Sequence, residues 1–419
     1  MTILQAVYLR DRSFKAASMA HFFVDILNNG RSLLVALLAV SIGLSNAQVG
    51  IALLLYNVGS SLSQPFFGML ADRYGPRRFV VGGLAWMILL YSLAAVVGDW
   101  PALLAITVAG LGSGAVHPSG TKVASETSAA DRSQATGVFF AMGQVGLFIG
   151  PVLAGVMLTL FDQPGYLFLT GLATIGLYYI WRFAGNDTAT VAATKDESGL
   201  ISPATAQAGA TKPATERTSI RLKRVWTGLR RVPWTIAIPL VIVIVCYSSV
   251  GIAIINYAAK LFTEMGYQPL YVGVVTGLFM LGSAAGGIVG GTIADRSSRR
   301  LAIRIGMLGS IIPLFLYIPV GDPWRFPLLL MAGFFAGMPH SVLVIMAQAL
   351  MPGRRGFASG LILGLMFFSG AIGTFVLALV ADSIGLAVAL QALIILPIVG
   401  TVGTFFLPGQ EVFARLYPE

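Results

Sequence analysis

The chain has 419 residues, of which 56% are hydrophobic and 11% charged, with a net charge of +10 and a single cysteine. Soluble domains carry about a quarter of their residues as charges, so this composition excludes an ordinary soluble globule. Cys246 lies in an apolar segment, where a small buried hydrophobe is expected rather than a disulfide or a metal ligand.

Apolar segments alternate with short polar punctuation along the whole chain. A helix needs about 20 apolar residues to cross ~30 Å of hydrocarbon, and the period-2 alternation of barrel strands is absent. The fold class expected is an all-α membrane protein. Twelve spans are predicted, the first six near 16–43, 47–71, 79–98, 101–124, 133–160 and 164–184. The second six fall near 234–262, 269–294, 301–320, 326–351, 355–381 and 384–407. Arg10, Arg12 and Lys15 precede the first span, but no small-residue cleavage site follows it, so no cleaved signal is expected.

The domains expected are 1–184, a six-helix half, 185–233, a polar linker, and 234–419, a second six-helix half. The first part of the linker is rich in Ala, Thr, Ser, Gly and Pro and reads as flexible. In its second part Leu222, Val225, Trp226 and Leu229 share a helical face ringed by Arg221, Lys223, Arg224, Arg230 and Arg231. That pattern suits a helix lying on anionic lipid head groups. Lysine and arginine crowd one side of the predicted topology, which also holds both termini, whereas the other side holds only Lys260 and Arg325. The bias predicts that both termini, the linker and both charged turns are cytoplasmic and gives the net charge a source other than nucleic-acid binding.

The stretch Gly68-Met-Leu-Ala-Asp72-Arg73-Tyr-Gly75-Pro-Arg77-Arg78 recurs as Gly291-Thr-Ile-Ala-Asp295-Arg296-Ser-Ser-Arg299-Arg300, at an offset of 223 residues. The same offset pairs Gly50 with Gly273, Gly59 with Gly282, Gly110 with Gly333, Gly114 with Gly337, His117 with His340, Gly137 with Gly360 and Gly150 with Gly373. One register held over four consecutive spans marks an internal repeat. Each half crosses six times, so the repeats are parallel, the arrangement of alternating-access transporters.

These residues resemble the major facilitator superfamily. Gly68-x-x-x-Asp72-Arg73-x-Gly75-x-Arg77-Arg78 resembles that family's signature loop between its second and third helices. Gly146-Leu-Phe-Ile-Gly150-Pro151-Val-Leu-Ala-Gly155 is similar to the motif associated with drug–proton antiporters. His21-Phe-Phe-Val-Asp25, Ser60-Ser61-Leu-Ser-Gln64-Pro65 and Gly112-Ser-Gly-Ala-Val-His117-Pro118 look like the fosmidomycin-resistance branch of efflux proteins. The arginine usual in span four of the antiporter pattern is Ile106 here, so that proton-relay role is not carried over. The resemblance implies a twelve-helix transporter of drugs or small organic anions, with no cofactor and with protons as the coupling ion. It implies a gating role for Gly68, Asp72, Arg73, Asp295, Gly146, Gly150 and Pro151.

Ionisable residues inside spans are costly and face a cavity or one another. In span one His21, Asp25, Asn28 and Arg31 fall within roughly 120° of helical arc at 100° per residue, a polar stripe expected to face the cavity between the two halves. Asp25, His21 and His117 are the proton-coupling candidates, because histidine titrates near neutrality. His21 and Asp25 could instead simply bond each other, and His117 and its repeat mate His340 could simply satisfy kinked helices. Arg31, whose mate is Ile254, offers a fork for carboxylate, phosphate or phosphonate, or a counter-charge for Asp25. Arg31, Asn28, Asn57, Gln144 and His340 are the substrate-binding candidates. Lys122 and Glu126 read as a solvated pair. No nucleophile–base pair, metal-ligand cluster or Walker lysine motif is present in the sequence, so neither an enzyme nor a metal site is expected. The expected function is proton-coupled efflux of a drug-like or organic-anion molecule by a monomer, the alternative being proton-coupled uptake of an organic anion. Asp72 is expected to latch the cytoplasmic face onto the start of span eleven near Arg354, with Gly68 letting spans two and eleven approach.

Overall fold

A computed structural model describes residues 11–126, 132–183, 234–349 and 355–409. Twelve helical passes follow one another. They are α1 (Arg12–Ser41), α2 (Asn46–Tyr74), α3 (Pro76–Val96), α4 (Asp99–Glu126), α5 (Arg132–Phe161) and α6 (Tyr166–Phe183), then α7 (Trp234–Glu264), α8 (Pro269–Arg296) and α9 (Arg299–Leu316). The tenth pass, α10, is split into Arg325–Gly337 and Pro339–Ala349. The last two are α11 (Arg355–Ile384) and α12 (Leu386–Phe405). Among the described residues nine helices are long and apolar enough to cross a membrane. The predicted linker helix at 221–231, and Arg354, lie outside the described residues.

Local chemistry sets the boundaries. Asp11 caps α1 by accepting from the Phe14 N–H at 2.7 Å. Ser45 and Gln48 form a capping box that starts α2. Gly75 ends α2 and opens α3 with φ +90°, a conformation that costs glycine nothing. In the second copy of the motif this glycine is lost, and its counterpart Ser298 takes extended backbone instead, at φ −155°. α7 carries a π segment at Ile254–Ala258, and the Met338–Pro339 junction interrupts α10.

The repeat register is visible in packing. Gly110 abuts the Tyr56 carbonyl and Gly333 abuts the Phe279 carbonyl; Gly114 faces Ser60, and Gly337 faces Ser283. Gly150 seats on Ile26 and Gly373 on Ser249. In each case both partners are shifted by the same 223 residues. Small residues at these crossings let backbones approach, the main source of attraction between helices in lipid.

The two ends of the bundle differ. One holds the α1–α2, α5–α6, α7–α8 and α11–α12 turns and is called here the far face; the other faces the termini. The cations expected on far-face loops are buried structural groups. Lys260 pairs with Glu264, and Arg325, 3% exposed, reaches Tyr267, Tyr271 and the Tyr317 carbonyl at 2.6–3.0 Å. The removal of both from solvent leaves the basic bias even more one-sided.

Candidate functional site

α1 and α4 supply the site, and α5 closes over it. His21 and Asp25 lie one turn apart on α1, 4% and 5% exposed, with Nε2 of His21 3.2 Å from Asp25 Oδ2. His117 of α4 places its own Nε2 3.5 Å from Asp25 Oδ1. Thus both carboxylate oxygens face an imidazole.

The other ring nitrogens set the proton inventory. Nδ1 of His21 lies 2.8 Å from the Phe139 carbonyl, and Nδ1 of His117 lies 2.8 Å from the Ser113 carbonyl. A carbonyl oxygen only accepts, so each Nδ1 carries its hydrogen and donates. Any proton taken up or released by this cluster would therefore sit between an Nε2 atom and the carboxylate. With two such protons every contact is a charge-assisted hydrogen bond. Loss of one leaves a lone pair opposite a lone pair at one contact, which is relieved only by movement.

His21 also stacks on Phe139, with centroids 4.2 Å apart and planes at 16°, and meets His117 edge-on at 5.0 Å. α5 comes this close because its facing residues lack side chains. A Cβ on Gly143 would lie 2.6 Å from Asp25 Oδ2 and 2.7 Å from His21 Nε2, and one on Gly146 would lie 3.2 Å from Asp25 Cβ. Asn29 fastens the same seam by donating to the Leu147 carbonyl.

A second layer lies toward the far face. Asn28 donates to Asp25 Oδ1 at 3.0 Å and to Ser113 Oγ at 3.2 Å, and its own oxygen accepts from the Tyr56 hydroxyl. The Tyr91 hydroxyl donates to that of Tyr56 at 3.3 Å. The Arg31 guanidinium lies over the Tyr56 ring, 3.8 Å from its centroid. Its Nε donates to the Asn28 carbonyl at 3.3 Å, and the buried Nη1 has no hydrogen-bond partner among the described residues. A buried, unsatisfied guanidinium nitrogen costs stability unless something binds it.

The candidates divide accordingly. His21, Asp25, His117 and Asn28 converge, with Arg31 beside them; among the described residues no ion pair joins Arg31 to Asp25, whose charge faces the two histidines instead. His340 is bonded to the Tyr247 hydroxyl of α7 at 2.9 Å. Asn57 turns its amide back to the Leu53 carbonyl at 2.8 Å, and Gln144 is half-buried. Gly146 and Gly150 pack α5 onto α1, whereas the Pro151 carbonyl and Gly155 meet Gly273 of α8. Asp295 is exposed. Arg73 lies near the Tyr74 ring at 5.1 Å. Asp72 pairs with Lys122 at 2.6 Å, and Gly68 faces Pro118 of α4 at 3.7 Å; Arg354 and the first side chains of α11 lie outside the described residues. Among the described residues α2 and α11 approach closely at Gly50, near the far face, where the small side chain of Ala378 meets a glycine.

Ser113 is the residue that sequence reasoning passed over; it precedes His117 by one turn, which was the available sign. The donor atoms of His21, Asp25 and His117 all lie within 4.8 Å of one another. Two imidazoles and a carboxylate would suit a transition ion, a convergence invisible to linear spacing because two helices contribute.

The family model of the Major Facilitator Superfamily covers residues 17–374 and, in a second alignment, 240–415. The chain belongs to the major facilitator superfamily. It is 26% identical over 406 residues to the fosmidomycin resistance protein of Escherichia coli (strain K12), covering 94% of this chain and 92% of that one. It is 28% identical over 400 residues to an uncharacterized MFS-type transporter of Bacillus subtilis (strain 168), with the same coverages. A bacterial homologue of the human lysosomal transporter Spinster superposes with a TM-score of 0.73 at 12% identity, over 99% of this chain and 98% of that one. The protein is an integral membrane transporter, not an enzyme.

Proposed function

We propose that the protein exports a small drug-like or organic-anion molecule in exchange for protons, from the inner membrane of a bacterium, with both termini cytoplasmic. The observation that supports this most strongly is the buried carboxylate of Asp25 between two imidazoles whose Nδ1 hydrogens are committed elsewhere. Such a cluster changes charge by single protons, and each change alters which contacts are attractive. The unpartnered Nη1 of Arg31, on the far-face side of that cluster, suits a carboxylate, phosphate or phosphonate. Cargo and proton then occupy adjoining sites joined by Asn28, so that filling one alters the electrostatics of the other.

Fosmidomycin, the compound in the Escherichia coli relative's name, is the first probe. Reconstituted protein should move it uphill when a pH gradient is imposed and lose that drive when the gradient is collapsed. Asp25→Asn should bind the probe and lose the gradient dependence. Flux that ignores the gradient in the unsubstituted protein overturns proton coupling, and gradient-driven flux by Asp25→Asn overturns the site.

Arg31 serves an anion moving in either direction, which keeps proton-coupled uptake of an organic anion as the second reading. Accumulation of labelled probe in cells with and without the protein gives the direction: lower content with the protein is efflux, higher content is uptake.

A further inference from the structure

The far face is held shut by a device that the sequence conceals. Near the end of α11, the carboxylate of Asp382 accepts hydrogen bonds from the backbone N–H groups of Asn46 at 2.8 Å and Ala47 at 2.9 Å. These are the first two residues of α2, in the other half of the molecule. On the opposite side of the pseudo-twofold axis, Thr159 near the end of α5 accepts from the N–H of Leu270 at 2.8 Å, the second residue of α8. Asp382 and Thr159 are separated by the repeat offset, and so are Ala47 and Leu270. The same backbone group is thus capped by the same structural position in both repeats, each time across the boundary between the halves. The chemistry differs: a carboxylate with two bonds on one side, a hydroxyl with one on the other, where Pro269 offers no N–H.

Both seams are tight enough that the caps depend on closure. A Cβ on Gly50 would lie 2.8 Å from that of Ala378 and 3.1 Å from the Tyr257 hydroxyl, and that hydroxyl donates to the Asn46 carbonyl at 2.8 Å. Gly155 packs on Pro269, Leu270 and Gly273. Neither cap survives separation of its seam by more than an ångström or two, since a hydrogen bond weakens steeply beyond 3.2 Å.

We propose that Asp382 and Thr159 form a paired latch that sets the balance between closed and open states of the far face, with Asp382 as the stronger member. A helix N-terminus carries unpaired N–H groups and partial positive charge, and an ionised acceptor binds it roughly twice as strongly as a neutral one. The α2–α11 seam is therefore the firmer of the two, and the α5–α8 seam yields first. On the capping scale, removal of Asp382 should shift the closed-to-open ratio by about tenfold and removal of Thr159 by about threefold.

The test reads distances and needs neither cargo nor a gradient, so its outcome is independent of the proton-coupling reading. With Cys246→Ser in place, spin labels at Ser41→Cys and Val388→Cys report the far face, and labels at Tyr74→Cys and Leu301→Cys report the opposite face. Asp382→Ala should populate longer far-face and shorter opposite-face distances, Thr159→Val should do so less, and Thr159→Asp should sharpen the closed population. Unchanged distributions in a folded Asp382→Ala protein would reduce the caps to passive helix ends and sink the proposal. Should Asp382→Ala fail to fold, Thr159→Asp decides: no gain of the closed state overturns the latch.

Discussion

Gly143→Ala tests the site most sharply, because the perturbation is one methyl group. The added Cβ would lie 2.5 Å from His21 Cε1, 2.6 Å from Asp25 Oδ2 and 2.7 Å from His21 Nε2, whereas unstrained contacts begin near 3.4 Å. Roughly 0.9 Å of movement is needed at the tightest contact, in a core where interdigitated side chains transmit strain. The His21 ring cannot yield alone, since its Nδ1 is tied to the Phe139 carbonyl one turn earlier on the same helix. Two escapes exist. Helix α5 can back away from α1 at an overpacking cost of about 1–3 kcal/mol, or the His21–Asp25 contact can open, losing a charged hydrogen bond of about 1.5–3 kcal/mol. Either route predicts about 2 kcal/mol of destabilisation. Thermal unfolding in detergent, followed by the reactivity of buried Cys246, measures it. Gly82→Ala, where the new methyl meets nothing within 4 Å, is the control and should be neutral or slightly stabilising. Transport of the probe by Gly143→Ala should also lose its dependence on the pH gradient. Melting and gradient dependence both equal to those of the control would refute the packing of α5 against the cluster.

Arg31→Lys retains the charge but loses the planar fork stacked on Tyr56; affinity for an anionic probe should fall about tenfold or more by calorimetry, with melting little changed. Asp72→Ala removes a surface pair with Lys122, so stability should change by less than about 1 kcal/mol. If Asp72 gates the termini face, that variant transports more slowly while probe affinity is retained; abolished affinity would contradict a gating role.

Much of the architecture was legible because lipid makes it so. Twelve apolar segments admit few alternatives, and the recurring glycines announced the repeat before any contact was known. The stripe of His21, Asp25, Asn28 and Arg31 followed from helical periodicity and a hydrophobic solvent. What periodicity could not give was the partner across the gap. His117 meets Asp25 because α4 passes α1 at that height, and no spacing within one helix contains that fact. Arg31 was open to two roles, counter-charge or anion seat; among the described residues no ion pair joins it to Asp25, and its guanidinium lies 3.8 Å from the Tyr56 ring. The expected approach of Gly68 to the start of α11 falls at residues outside the described ones, whereas the described contact of α2 with α11 at Gly50 lies at the opposite end of α2 and carried no sign in the motif. Asp382 and Thr159 escaped notice because a repeat search rewards identity, and these two share a position and a bond but not a side chain.

One helix joins the two devices. Along α5, the Phe139 carbonyl holds His21, Gly143 and Gly146 admit the cluster, the Pro151 carbonyl and Gly155 touch α8, and Thr159 caps it. From Gly143 to Thr159 is sixteen residues, about 24 Å of continuous helix at 1.5 Å per residue. On the proposed readings of the cluster and the latch, a proton change that pushes His21 from Asp25 would act on the helix whose other end closes the far face. Proximity along a helix is not itself coupling, so the claim needs a double-mutant cycle. Asp25→Asn and Thr159→Val, alone and together, should shift the far-face distance populations non-additively, by at least about 0.5 kcal/mol, a little over twofold in ratio. Strict additivity would mean that the cluster and the latch answer to different parts of the molecule, with the proton signal leaving through Asn28 and Tyr56 into α2 rather than along α5.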